Sequence, residues 1–319
     1  MNIPIKPLFI DGLNCIEVLV VSYLHYLQKE INLIFADSWG FAFTPYGSSE
    51  NEIIFAESIQ TRYTSFYTAV EKLFGITAVF NHHMEYDEII NTLKTNLAES
   101  KPLGLKIDSY YCNWHDRYMQ THGEHFCLAV GYDDNRIACV DPGFAADGTV
   151  WLPCDECQKG ATGCFWFVDS GKELCIQYRE FFKQAAELLL LLKPFKHIRL
   201  CAKAMERYFC YQKECGTILD NPWWNKLFRI FLQISGGRKQ FLRFLDDMSG
   251  KKLQFSDEHK KTVKVIIDKW EIMRSLLVKY NVGDSFERKG KPKMVSYLYE
   301  VADKEEAFIQ NLYQAACML

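Results

Sequence analysis

The hydrophobic period of this chain changes near residue 170, and that change restricts the folds open to it. Before it, short apolar runs of strand type alternate with stretches of helical spacing. After it there is almost no strand signal. "ELCIQYREFFKQAAELLLLLK", "NPWWNKLFRIFLQIS", "RKQFLRFLDDMSG" and "EHKKTVKVIIDKWEIMRSLLVKY" all read as helices. Pro194, Pro222, Gly236–Gly237 and Gly250 punctuate them, and "NVGDSFERKGKPK" reads as a polar linker. The expectation is an α+β domain over residues 1–170 followed by an all-α domain over 171–319. Charge divides the same way. The first part carries 10 Lys+Arg against 22 Asp+Glu, the second 27 against 18, so the two halves should present different surfaces.

Within the first part, Asn14 is a suitable N-cap for "CIEVLVVSYLHYLQKE". Ile16, Leu19, Val20, Tyr23, Leu24 and Leu27 share one face of that helix, and Val18 and Val21 widen it. "INLIFADSWGFAFTPYG" turns through Gly40, Pro45 and Gly47, and "TSFYTAVEKLFG" is a helix stopped by Gly75. "ITAVF", "LGLKID", "GTVWL" and "CFWFVD" are short strands, and "EYDEIINTLKTNLAES" is an amphipathic helix. Helices come first and antiparallel strands afterwards, the α+β order.

At 319 residues and 49% hydrophobic, the chain can bury a large core. Its twelve cysteines keep no regular spacing and read as mostly free thiols of a reducing compartment. No long apolar stretch follows Met1, and Leu188–Leu192 is far short of the roughly 20 residues of a membrane span. The expectation is a cytoplasmic protein with no membrane segment.

"HGEHFCLAVGYDDNRIACVDPGF", residues 122–144, is a hairpin turning near Asp133–Asn135. It sets His125 at the mouth of one strand and Asp141 at the end of the other, where the aspartate can hold one ring nitrogen. Such a pair is the base and its orienter in nucleophilic catalysis. Cys15 is the candidate nucleophile. It starts a helix, where exposed amides and the helix dipole favour a thiolate, so its pKa is expected to fall into the range of roughly 3.5–7.5.

"NCIEVLVVSYLHY", "WGFAFT", "KIDSYYCNWHDRYMQTHGEHFCLAVGYDD" and "VDPGF" together resemble papain-like cysteine enzymes of the C39-like kind. More narrowly, they resemble the family of the butirosin biosynthesis H protein. The resemblance covers most of residues 10–145, and the helical second half fits that family's layout. It implies an acyltransferase in natural-product biosynthesis, with Cys15 as nucleophile, His125 as general base and Asp141 as its orienter. The acyl donor implied is the phosphopantetheine thioester of an acyl or peptidyl carrier protein. The acceptor is expected to be an amine or other nucleophile, with a small-molecule amine as the partner, and no cofactor is bound by the enzyme itself.

One departure stands out. Papain-like peptidases place a glutamine shortly before the cysteine as an oxyanion donor, and "KPLFIDGLNC" has none. The Cys15 amide can supply one donor and Asn14 is a candidate for another. Tyr110, Tyr111, Trp114 and Tyr118 are candidate walls of a cleft, as is "SWGFAF" with Trp39; packed core aromatics are the alternative reading. Cys154 and Cys157, with Cys164 and Cys175 downstream, lack the second close pair of a structural zinc site, and His82–His83 has no ligand spacing. No metal is therefore expected. No nucleotide loop occurs and the basic second half shows no nucleic-acid motif. Two further readings stay open: a thioesterase or peptidase of the same fold, and a non-catalytic binding protein. The oligomeric state cannot be read from the sequence.

Overall fold

A computed structural model of the protein describes residues 2–47, 52–145, 148–172, 175–216, 218, 221–251, 257–280 and 285–318. Its backbone is α+β, with antiparallel sheet in the N-terminal region and helices after it. Two compact units form, and each is made of two stretches of the chain. The first is Met1–Ile31 with Phe66–Leu174; the second is Asn32–Ser65 with Cys175–Leu319.

The first unit is built on a six-stranded antiparallel sheet. In spatial order the strands are Ile76–Asn81, Ala161–Asp169, Leu103–Asp108, Glu124–Tyr132, Arg136–Val140 and Thr149–Pro153. The strand Glu124–Tyr132 is buried from His125 to Gly131, which explains its unbroken apolar run. The helix Cys15–Tyr26 packs on this strand. Tyr23 of that helix stacks on Phe167 at 4.3 Å, and Phe167 meets Phe165 at 5.6 Å. Phe165 lies over Gly104, where a Cβ would come within 1.9 Å of its ring. Gly75 ends the helix Phe66–Phe74 with φ +67°, as its place in the sequence suggested.

The second unit is helical. Its main helices are Tyr178–Leu192, Pro194–Tyr208, Lys226–Gly250, Asp257–Lys279 and Lys291–Cys317. Residues 32–65 were expected in the catalytic domain; instead they thread this helical unit. Trp39, Phe41 and Phe55 are fully buried there. Trp39 stacks on Phe308 at 4.8 Å, Phe41 meets Trp270 at 5.7 Å, and Phe55 meets Phe209 at 5.4 Å. The boundary between units on the C-terminal side falls after Leu174 rather than at residue 170.

Two breaks expected from the sequence are helical. Gly236–Gly237 sits inside the helix Lys226–Gly250. A Cβ on Gly237 would lie 2.3 Å from the Ser38 carbonyl oxygen, and the Ser38 hydroxyl donates to the Gly237 carbonyl at 2.8 Å. These glycines permit close backbone approach; they do not end the helix. The "NVGDSFERKGKPK" linker is helical from Ser285 onward, because Phe286 is buried and stacks on Tyr211 at 4.6 Å. Residues 281–284 lie outside the described residues.

Arg238 is fully buried. Its guanidinium donates to both oxygens of Glu305 at 2.9 and 3.1 Å and to the Gly40 carbonyl at 2.9 Å. Trp39 Nε1 donates to Glu305 Oε2 at 2.8 Å. Among the described residues, no helix is long and apolar enough to cross a membrane.

Candidate active site

The site is assembled in the first unit from the first helix and the bulged hairpin. Asn14 caps the helix as the sequence indicated. Its Oδ1 accepts from the Ile16 and Glu17 amides at 3.0 and 2.9 Å, and Glu17 accepts from the Asn14 amide at 3.0 Å. This reciprocal box fixes the first turn and commits the Asn14 side-chain oxygen to the helix. Cys15 is therefore the first helical residue, and its amide, like any first-turn amide, has no carbonyl partner along the helix.

His125 and Asp141 meet. His125 Nε2 lies 2.6 Å from Asp141 Oδ2, with both residues buried. A carboxylate can only accept, so Nε2 carries the proton of this contact, and Nδ1 is the ring nitrogen that does not face the carboxylate. The hairpin register explains the meeting. Next to the dyad the register is Leu128 opposite Val140, and continuing it one step sets Cys127 opposite Asp141. Cys127 is two residues from His125, so Asp141 and His125 share a face on the diagonal. Nearer the turn the register is Gly131 opposite Ala138, with a bulge between. Carried through unbulged, that register would set Leu128 opposite Asp141 and turn the aspartate to the other face. The extra residue of the bulge thus puts the pair together.

The thiol departs from expectation. Cys15 is exposed, yet enough protein surrounds its sulfur that desolvation pushes the pKa up to about 11. The Ile16 and Cys15 amides oppose this, while the Asp141 and Glu124 carboxylates add to it. The helix start does lower the thiol's pKa, as its amides should, but desolvation and two nearby carboxylates outweigh it. Among the described residues no hydrogen bond joins Cys15 Sγ to His125.

The loop between strands supplies groups that the sequence placed differently. Trp114 Nε1 donates to Asp141 Oδ2 at 2.8 Å, so Trp114 contacts the dyad itself. The buried His115 sets its ring 4.7 Å from that of His125, near perpendicular, and stacks on Phe144 at 3.8 Å. Burial, with His125 beside it, lowers the His115 pKa. The sequence reading did not single out His115; its only signal was a second histidine beside the tryptophan of an aromatic loop.

The remaining candidates are engaged in holding this loop or lie elsewhere. Tyr110 stacks on His122 at 4.3 Å, and Asp108 ties the loop ends by accepting from the Tyr110 and Gly123 amides at 3.0 and 2.9 Å. Tyr111 packs over Gly160, and the Tyr118 hydroxyl donates to Glu156. Trp39, expected as a cleft wall, is a core residue of the second unit.

Cys164 Sγ lies 3.2 Å from Met84 Sδ, and Cys157 is fully buried. Among the described residues no group of three or more His, Cys, Asp or Glu side chains could hold a metal.

No curated protein matches the chain. Residues 17–142, which include His125 and Asp141 and begin two residues after Cys15, match the family described as Butirosin biosynthesis protein H, N-terminal.

Proposed function

We propose that the protein is a cysteine acyltransferase acting in natural-product biosynthesis of the butirosin type. The family match supports the biosynthetic setting. The observation that carries the chemistry is the buried 2.6 Å contact between His125 and Asp141, with Nδ1 left free to act as a base.

In this reading the donor is a thioester on the phosphopantetheine arm of an acyl or peptidyl carrier protein. Cys15 Sγ attacks the thioester carbonyl while His125 Nδ1 takes the thiol proton. The carrier thiolate leaves and collects that proton from His125, so acyl-Cys15 and a free carrier thiol result. A neutral amine then attacks acyl-Cys15, His125 accepts one amine proton and returns it to the departing Cys15 sulfur. A thiol pushed up to about 11 rests protonated at neutral pH. Deprotonation is then part of the attack, which suits an activated thioester better than an amide. The Cys15 amide is the nearest candidate donor for the oxyanion. Because Cys15 is exposed, water can compete with the amine, and a thioesterase is the second reading.

The test is intact-mass analysis after mixing the protein with a panel of carrier-bound acyl thioesters. The expected result is one acyl addition on wild type and none on Cys15→Ala, discharged faster by an amine than by water. Discharge at the same rate with and without amines would favour hydrolysis. Acyl addition to Cys15→Ala at the wild-type rate would remove Cys15 as nucleophile.

A further inference from the structure

We infer that Trp114 is a positioning residue of the His125–Asp141 pair, setting which carboxylate oxygen the imidazole meets; this rests on reading that pair as the catalytic base. Asp141 Oδ2 accepts two donors at once, His125 Nε2 at 2.6 Å and Trp114 Nε1 at 2.8 Å. An aspartate carboxylate can rotate about its Cβ–Cγ bond, and a lone imidazole donor allows either oxygen to face it. A second donor from a different direction, held on a rigid indole, selects one rotation. It also spreads the negative charge of the oxygen over two N–H groups, so the carboxylate holds the ring without withdrawing its proton.

The neighbouring residue extends the grip. His115 lies edge-to-face against His125 at 4.7 Å, and Phe144 approaches the same ring at 5.4 Å. Consecutive residues of one loop therefore touch both members of the pair, Trp114 the carboxylate and His115 the imidazole. The loop is tied at its base by Asp108, through the Tyr110 and Gly123 amides, and further along by the Tyr118–Glu156 contact. A tryptophan serving only as packing would not need its one polar atom on that oxygen. Titratable neighbours of the pair include Cys15 on the helix, Glu124 and Cys127 on the first hairpin strand, Cys139 on the second, and Cys112, His115 and Asp116 on the loop.

The experiment compares wild type with Trp114→Phe, which keeps a ring and removes the N–H. Proton NMR of protein labelled with nitrogen-15 in histidine observes the His125 Nε2 proton, expected far downfield in wild type because its hydrogen bond is short. In Trp114→Phe this resonance should move upfield or broaden while amide signals away from the loop stay in place. With a carrier thioester as donor, kcat should fall about tenfold with KM unchanged. A ring-proton signal identical in both proteins overturns the inference. The NMR arm needs no substrate, so it stands even if no donor loads Cys15 and the acyltransferase reading fails. If Trp114→Phe does not fold, the wild-type indole decides. Its Nε1 proton should exchange slowly and shift with pH together with the His125 signal. Exchange as fast as that of the exposed Trp223 and Trp224 indoles, with no pH response, overturns the inference equally.

Discussion

Each unit of this protein buries a carboxylate against a nitrogen donor, and the two pairs are built to opposite ends. In the second unit, Arg238 and Glu305 are fully buried and enclosed by donors and acceptors. Glu305 receives Arg238 and the Trp39 indole, Arg238 also reaches the Gly40 carbonyl, and its guanidinium lies 5.1 Å from the centre of the Trp39 ring. In the first unit, His125 and Asp141 are buried too, but only one ring nitrogen meets the carboxylate and an exposed cysteine stands nearby on the packed helix. Burial alone does not separate a structural pair from a reactive one. In the proposed reading, what separates them is a second ring nitrogen on a group that can change its protonation, which arginine cannot do.

The comparison breaks most directly if the reactive pair proves dispensable. His125→Ala is expected to lower acyl transfer by about 10²–10⁴-fold, and Asp141→Asn to slow it because the amide can favour the other imidazole tautomer, both with little loss of fold by circular dichroism. Single-turnover rates with a carrier thioester measure this. Activity within about twofold of wild type in either variant would reduce the pair to a structural contact.

The saturated pair should respond in stability. Arg238→Met leaves the Glu305 carboxylate buried without its cation, so unfolding free energy should fall by about 3–5 kcal/mol. Urea titration reads this, and a loss under about 1 kcal/mol would mean that the unit repacks around the carboxylate. Arg238, fully buried, is therefore not available as a surface charge for a partner. Lys239 contacts Glu271 at 2.6 Å and Lys251 lies over the Tyr178 ring at 4.5 Å, while Lys252 is outside the described residues.

The thiol sharpens the contrast through pH. Desolvation raises the Cys15 pKa to about 11, so the neutral form is favoured in the folded protein. Carboxamidomethylation of Cys15 by iodoacetamide, followed by peptide mass analysis, should be slow at neutral pH and accelerate up to about pH 11. A midpoint below pH 8 would indicate a resting thiolate paired with imidazolium, the arrangement first suggested by the helix start.

Smaller effects are expected where backbone meets backbone or solvent. Gly237→Ala gains helix propensity but drives a methyl into the Ser38 carbonyl, and a net loss of about 1–3 kcal/mol is expected by thermal unfolding. Asp134→Asn in the hairpin turn should leave transfer rates within about twofold of wild type. Asp133 is a poorer control, since it accepts from the Asn135 and Arg136 amides at 3.0 and 2.8 Å and pairs with the Arg136 guanidinium at 2.8 Å.

Much of the first unit was legible because its elements follow local rules. The Asn14 cap, the Gly75 stop and the strands around Leu103–Asp108 and Glu124–Tyr132 rest on short-range spacing. The His125–Asp141 contact was legible through the hairpin, but its cause was not. "HFCLAVGYDD" is apolar almost throughout, so periodicity could not show where a bulge inserts the residue that turns Asp141 to the same face. Segment 32–65 reads locally as a turn-rich stretch, and its partners Phe308, Trp270 and Phe209 lie over a hundred residues away. Gly236–Gly237 looked like a break because the sequence carries no mark of the Ser38 backbone it must accommodate. Trp114 was grouped with the cleft aromatics because composition cannot show where an indole N–H points.

The double visit of the chain to the second unit has a consequence in time. Trp39 finds its carboxylate partner 266 residues further along, on the last helix. At a synthesis rate of about 5–20 residues per second, the tryptophan waits for something like 13–53 s before Glu305 exists. The sheet of the first unit, complete by Asp169, can form long before that. The growing chain must then carry 32–65, with its apolar Trp39, Phe41 and Phe55, as an uncovered loop emerging from a domain already closed. Apolar surface left uncovered for that interval is prone to aggregation.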